Sequence, residues 1–161
     1  MKIVVLGAVA IGLLPTAAQA ASKLHFGSRA GMEVTVVSSE GLDTERAVIR
    51  TKYTREDATR FCVEYVGKVT AQCINEQLGL RLNDRVSANC KTGEFVDFYG
   101  QRHRFEGRRR GQPGELGFAN FVLRNLATDE IADGSNASGY PTNMQIFRTL
   151  CPSKAPAPAD E

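Results

Sequence analysis

Only two histidines occur in the 161 residues, His25 and His103, and no H-E-x-x-H pattern contains them. The closest pair of cysteines is eleven residues apart, so the tight spacings of zinc sites are missing as well. No phosphate-binding glycine loop, dinucleotide fingerprint or G-x-S-x-G elbow is present, which removes the common nucleotide enzymes and esterases. No metal or cofactor is therefore expected. Charge of one sign is also scarce, with 20 basic residues against 18 acidic ones. A chain so nearly neutral is not a polycation that coats nucleic acid, so no nucleic-acid partner is expected. Any electrostatic function has to come from local clustering.

Long apolar runs are absent too, and the one run that exists is informative. The chain opens MKIVVLGAVAIGLLPTAAQA, with Lys2 before an uncharged stretch from Ile3 to Leu14. Pro15 breaks the stretch, and Ala18-Gln19-Ala20 supplies a small-x-small cleavage pattern. This is the layout of a secretory signal peptide, shorter than the roughly 20 residues of a membrane-spanning helix. Residues 1–20 are thus expected to be removed, leaving no transmembrane segment and a periplasmic or secreted protein. The mature chain from Ala21 reads as a single domain to Cys151, followed by a disordered Pro/Ala-rich tail over 152–161.

Four cysteines, Cys62, Cys73, Cys90 and Cys151, remain in the mature chain. An even number in a short exported protein points to two disulfides. Thr54 followed by Arg55-Glu56-Asp57 is a helix start, and Ala58, Phe61, Cys62, Tyr65 and Val69 make one apolar stripe. If that helix ran unbroken to Leu78, Cys62 and Cys73 would lie about 16 Å apart and could not bond. If Gly67 ends it and Thr70 caps a second helix, the two form a hairpin and the cysteines can meet. The second arrangement is favoured, and Cys90 then pairs with Cys151.

Strands are expected over MEVTVVS (32–38) and RAVIRTKY (46–53). Three more lie in RVSANCKTGEFVDFYGQRHRFEG, punctuated by Thr92-Gly93 and Gly100-Gln101, and a hairpin is expected around Ala127 to Glu130. Thr142 with Gln145 offers a capping box for a helix ending near Leu150. The fold class is α+β: an antiparallel β-meander packed by the Thr54–Leu78 helical segment and stabilised by disulfides. Its core draws on Val34, Val36, Val48, Ile49, Phe61, Tyr65, Val69, Phe95, Phe105, Phe121, Leu123 and Phe147.

The one clustered charge is RHRFEGRRRG, residues 102–111, with five arginines in ten positions. Strand alternation puts His103 and Phe105 on the core face, with Arg102, Arg104 and Glu106 on the other. Arg102, Arg104, Arg108, Arg109 and Arg110 could then form one patch that grips carboxylates, phosphates or sulfates. The bland reading is a solvated loop. A catalytic trio can be assembled on paper from Ser135 or Ser138, His103 and Asp97, as almost any chain of this length allows. The carboxylate pairs Glu56-Asp57 and Asp129-Glu130 fall at a helix start and a turn, where solvated acids are common. Asn136 begins an Asn-x-Ser sequon in a loop of small residues, to which no role is given.

DATRFCVEYVGKVTAQCINEQL, SANCKTGEFVDFYG and DGSNASGYPTNMQIFRTLCP together resemble small exported alphaproteobacterial proteins of unknown function, over nearly the whole mature chain. That resemblance implies a location and no activity. Ser135 to Tyr140 is also similar to the Ser/Gly-rich inhibitory loop of membrane-bound C-type lysozyme inhibitors, which are small disulfide-containing β-barrels. The Thr54–Leu78 helical segment departs from that pattern. The expected function is a non-enzymatic envelope or secreted module that binds an anionic envelope polymer or a protein. The alternatives are a hydrolase inhibitor and, third, a small hydrolase.

Overall fold

The computed structural model describes residues 22–110 and 120–155. The expected signal peptide and residues 156–161 of the expected tail lie outside them, as does most of the loop that follows Arg110. Seven strands form one antiparallel sheet in sequence order: β1 (Lys23–His25), β2 (Glu33–Glu40), β3 (Ala47–Lys52), β4 (Arg85–Asn89), β5 (Glu94–Val96), β6 (Arg102–Arg108) and β7 (Phe121–Asn125). Three helices accompany it: α1 (Arg55–Phe61), α2 (Ala71–Leu78) and α3 (Tyr140–Leu150). The fold is thus an α+β meander, and two disulfides hold it. Among the described residues no helix is long and apolar enough to cross a membrane.

The excursion between β3 and β4 is a helical hairpin. Thr54 opens α1 reciprocally: its hydroxyl accepts from the Asp57 amide at 3.1 Å, and the Asp57 carboxylate accepts from the Thr54 amide at 2.9 Å. After Phe61 the helix loosens into a π-helical turn, Cys62–Val66, and Gly67 ends it at φ 71°. That left-handed conformation carries no penalty for glycine, and the chain reverses there. Thr70 then caps α2 by accepting from the Cys73 amide at 3.1 Å. The reversal brings Cys62 and Cys73 to a Cα separation of 6.2 Å, and they are bonded. The change of helical period also corrects the expected core. Tyr65 and Val69 fall off the apolar stripe and are 49% and 52% exposed.

The helix that covers the sheet is α3, rather than the Thr54–Leu78 segment. Tyr140, Met144, Ile146, Phe147 and Leu150 join Leu24, Val34, Ile49, Val86, Phe95 and Leu123 in the main core. Phe105 stacks on Phe147 with ring centroids 4.5 Å apart. The hairpin keeps a smaller cluster of its own, made of Ala58, Phe61, Cys62 and Ile74, with α1 against β2. Val48 is only half-buried, whereas Leu24, Phe26 and Phe98 are core residues that the strand pattern does not single out.

Cys90, just after β4, is bonded to Cys151 at the C-terminus of α3, which ties the sheet to its covering helix. With a sequence separation of 61 between the two cysteines, loop closure contributes about 4 kcal/mol in the chain-entropy model. α3 begins earlier than the sequence indicates. Gly139 occupies the N-cap position at φ 70°, Pro141 lies in the first turn, and Thr142 is a buried helical residue without a capping bond. Packing also extends past Cys151 into the stretch assigned to the tail. The Ser153 amide and hydroxyl both donate to the Asp43 carboxylate, and Ala155 is fully buried.

Candidate functional site

A β-bulge in β6 divides the arginine-rich segment in two. Phe105 pairs with Leu123 and Arg108 with Phe121, so Glu106 and Gly107 together oppose the single residue Val122. Gly107 takes φ 87°, a conformation costly for any residue with a Cβ. Directly opposed residues share a face, so the bulge carries Arg108 to the side of the sheet where Phe121 is buried. Regular alternation would have kept it with Arg102 and Arg104. The five arginines therefore do not make one patch.

Arg102 and Arg104 both grip Glu94 on the outer face, at 3.0 and 2.7 Å. Arg124 on β7 holds Glu106 through two nitrogens, at 2.7 and 3.2 Å, and reaches Asp129 at 3.2 Å. Three arginines and three acids balance here. The hydrogen bonds from Arg104 and then Arg102 hold the Glu94 carboxyl below the usual range, and Arg124 does the same to Glu106.

Arg108 is placed quite differently. Its guanidinium lies 5.6 Å from the centre of the Phe121 ring, and Arg148 of α3 lies 5.5 Å from the same ring. Arg109 joins them through its charge on the Tyr140 hydroxyl, which bonds both the amide and the carbonyl of Phe121. Burial raises the Tyr140 pKa most, and the Phe121 backbone bond, Arg148 and Arg109 pull part of that back. Among the described residues no carboxylate lies within ion-pair distance of Arg108, Arg109, Arg110 or Arg148. The Nε atoms of Arg109 and Arg148 are buried without a hydrogen-bond partner among those residues. Among the described residues, these like charges gather beside two aromatic rings with no carboxylate at ion-pair distance.

At the far end of β6 the structure joins two members of the trio drawn on paper. His103 is buried, stacks on Phe95, and places Nε2 at 3.1 Å from the Asp97 carboxylate. The other Asp97 oxygen accepts from the amides of Tyr99 and Gln101, each at 2.8 Å, closing the turn between β5 and β6. Ser138 lines the same cleft, of about 710 Å³, but its hydroxyl donates to the Ser135 carbonyl at 2.8 Å. Ser135 in turn accepts from the Ser138 amide. No serine–histidine hydrogen bond exists among the described residues, so the nucleophile half of a triad is not built.

No family model, curated protein or solved structure matches this chain.

Function must be read from these sites alone. The sequence marks Arg108, Arg109 and Arg110 but gives no sign of Arg148, which sits where a basic residue merely complements a helix end. The division of the segment did carry a signal: a lone glycine within an alternating strand is the mark of a bulge.

Proposed function

We propose that the protein is an exported, non-enzymatic module that binds an anionic envelope polymer through Arg108, Arg109, Arg110 and Arg148. The observation that carries this reading is the convergence of Arg108 and Arg148 on Phe121, with the charge of Arg109 felt at Tyr140 and no carboxylate at ion-pair distance among the described residues. Guanidinium groups bind carboxylate, phosphate and sulfate with two parallel hydrogen bonds, and those of Arg108 and Arg148 already lie against the Phe121 ring. Arg102 and Arg104 belong to the fold in this reading, because Glu94 occupies both. Export is supported by the signal-like first twenty residues together with the two disulfides, which persist in oxidising compartments.

The test is binding of the oxidised mature chain to lipopolysaccharide, peptidoglycan and an acidic polysaccharide at low and high salt. Binding that weakens with salt and disappears when Arg108, Arg109 and Arg110 become Gln supports the reading. Binding indifferent to both, or none to any polymer, overturns it.

A second reading, inhibition of a hydrolase, draws on the turn before α3. Asp133 accepts from the Ser135 amide at 2.8 Å and the Gly139 amide bonds Asn136, leaving Asn136 to Ser138 exposed on a held loop. Such preorganisation lowers the entropic cost of binding a partner's cleft. This reading predicts tight 1:1 binding to a hydrolase, lost on substitution of Ser135 or Ser138 and untouched by the arginine changes.

A further inference from the structure

We infer that the cleft containing His103 is a second, separate binding site, and that its ligand is an uncharged saccharide of one to three rings. The cleft is bounded by the β1–β2 turn, the β5–β6 turn, the segment after β7 and the start of α3. Its volume of about 710 Å³ lies within the roughly 300–1,000 Å³ typical of small-ligand sites.

Its chemistry selects the ligand class. Carboxylates outnumber cations on the wall, with Asp97, Glu130 and Asp133 against Arg29, so an anionic ligand of the kind proposed for the arginine cluster is disfavoured. The remaining polar groups are mostly amides and hydroxyls that both donate and accept. The side chains of Gln101, Asn136 and Asn143 and the Tyr99 hydroxyl make no intramolecular hydrogen bond among the described residues. Groups of that kind match ring hydroxyls and acetamido groups, which also donate and accept. Tyr99 is 54% exposed at the wall and offers an aromatic face to the apolar side of a sugar ring.

His103 supplies the most specific contact. A carboxylate only accepts, so in the tautomer that satisfies Asp97 the proton sits on Nε2 and Nδ1 is left as an acceptor. Nδ1 has no partner among the described residues, and His103 lines the cleft. A ligand hydroxyl can donate to it. Asp97 is then a positioning residue that decides which way this hydrogen bond runs.

The experiment is calorimetric titration of the full oxidised mature chain with maltotriose, cellotriose and tri-N-acetylchitotriose. The expected result is saturable, salt-independent binding to at least one, weakened tenfold or more by Asn143→Ala and by Gln101→Ala. Asp97→Asn keeps an oxygen for the two turn amides but presents an NH₂ to Nε2. It should move the proton to Nδ1, seen in the imidazole ¹⁵N shifts, and weaken binding while the fold is kept. Failure of all three sugars to bind, or binding unchanged in Asn143→Ala and Gln101→Ala, overturns the proposal. Arg108, Arg109 and Arg110 changed to Gln should leave sugar binding intact, so this site and the arginine cluster stand or fall separately.

Discussion

Arg104 and Arg108 lie four residues apart on one strand, yet they inhabit different environments. Arg104 shares the Glu94 carboxylate with Arg102, while Arg108 lies over Phe121 beside Arg148 with no acid in reach among the described residues. Residue type does not separate them, nor does distance along the chain. The two-against-one pairing at Glu106 and Gly107 does, because it moves Arg108 across the sheet. An arginine already held by a carboxylate has little left to offer a ligand. One gathered with its like around an aromatic ring gains from any anion that arrives.

A buried ion pair elsewhere sets the upper end of the scale. Asp57 is fully buried, and it accepts from Lys23, from the Thr35 hydroxyl and from the amide and hydroxyl of Thr54. Asp57→Ala removes every one of these and strands Lys23, so unfolding free energy should fall by about 3–5 kcal/mol in urea titration. Burial disfavours the Asp57 charge, but the bonds from Lys23, Thr54 and Thr35 outweigh it and lower the pKa below 3.8. A carboxyl with a depressed folded pKa stabilises above its unfolded value. This contribution is therefore intact above about pH 5 and lost as pH falls through the folded pKa. Acid unfolding of Asp57→Asn should show a correspondingly weaker dependence in that window.

Next in size is the bulge. Gly107→Val places a β-branched side chain at φ 87° and should cost about 1–3 kcal/mol if the bulge is kept. If the strand instead re-registers, residue 107 faces Phe121 and Arg108 joins Arg102 on the outer face. Anion binding then drops while thermal stability changes little. Deletion of Gly107 should instead keep anion binding, since regular pairing then leaves Arg108 against Phe121 as before. Polymer affinity measured on the two variants distinguishes these outcomes.

The smallest effect belongs to the balanced network. Glu94→Gln frees Arg102 and Arg104 at an exposed site, where ion pairs add little to stability, so the melting midpoint should hardly move. Polymer binding should rise slightly, because two more guanidinium groups become free. A rise of tenfold or more would mean that the outer face, and not the Phe121 side, carries the function.

What could be read from the sequence follows a physical line. Local signals survived: Thr54 and Thr70 cap their helices, Gly67 reverses the hairpin, and the Cys62–Cys73 bond follows from that reversal. The glycine turns of the meander survived for the same reason, since turn chemistry is set within a few residues. Features that depend on distant packing did not. Thr142 looks like a cap but is drawn into α3, whose first turn is fixed by Gly139 and Pro141. Tyr65 leaves the core because a π-helical turn breaks the stripe after Cys62. Arg148 and Phe121 come from elements separated by the chain before α3, and no spacing rule connects them.

The most direct test sets the two halves of RHRFEGRRRG against each other. Affinity for one acidic polysaccharide, alginate, would be measured at two ionic strengths for three proteins: the wild type, Arg108/Arg109/Arg110→Gln and Arg102/Arg104→Gln. The account predicts salt-sensitive binding that falls at least tenfold, about 1.4 kcal/mol, in the triple variant and stays within about twofold in the double variant. Equal losses in both, or a loss confined to Arg102 and Arg104, would contradict it.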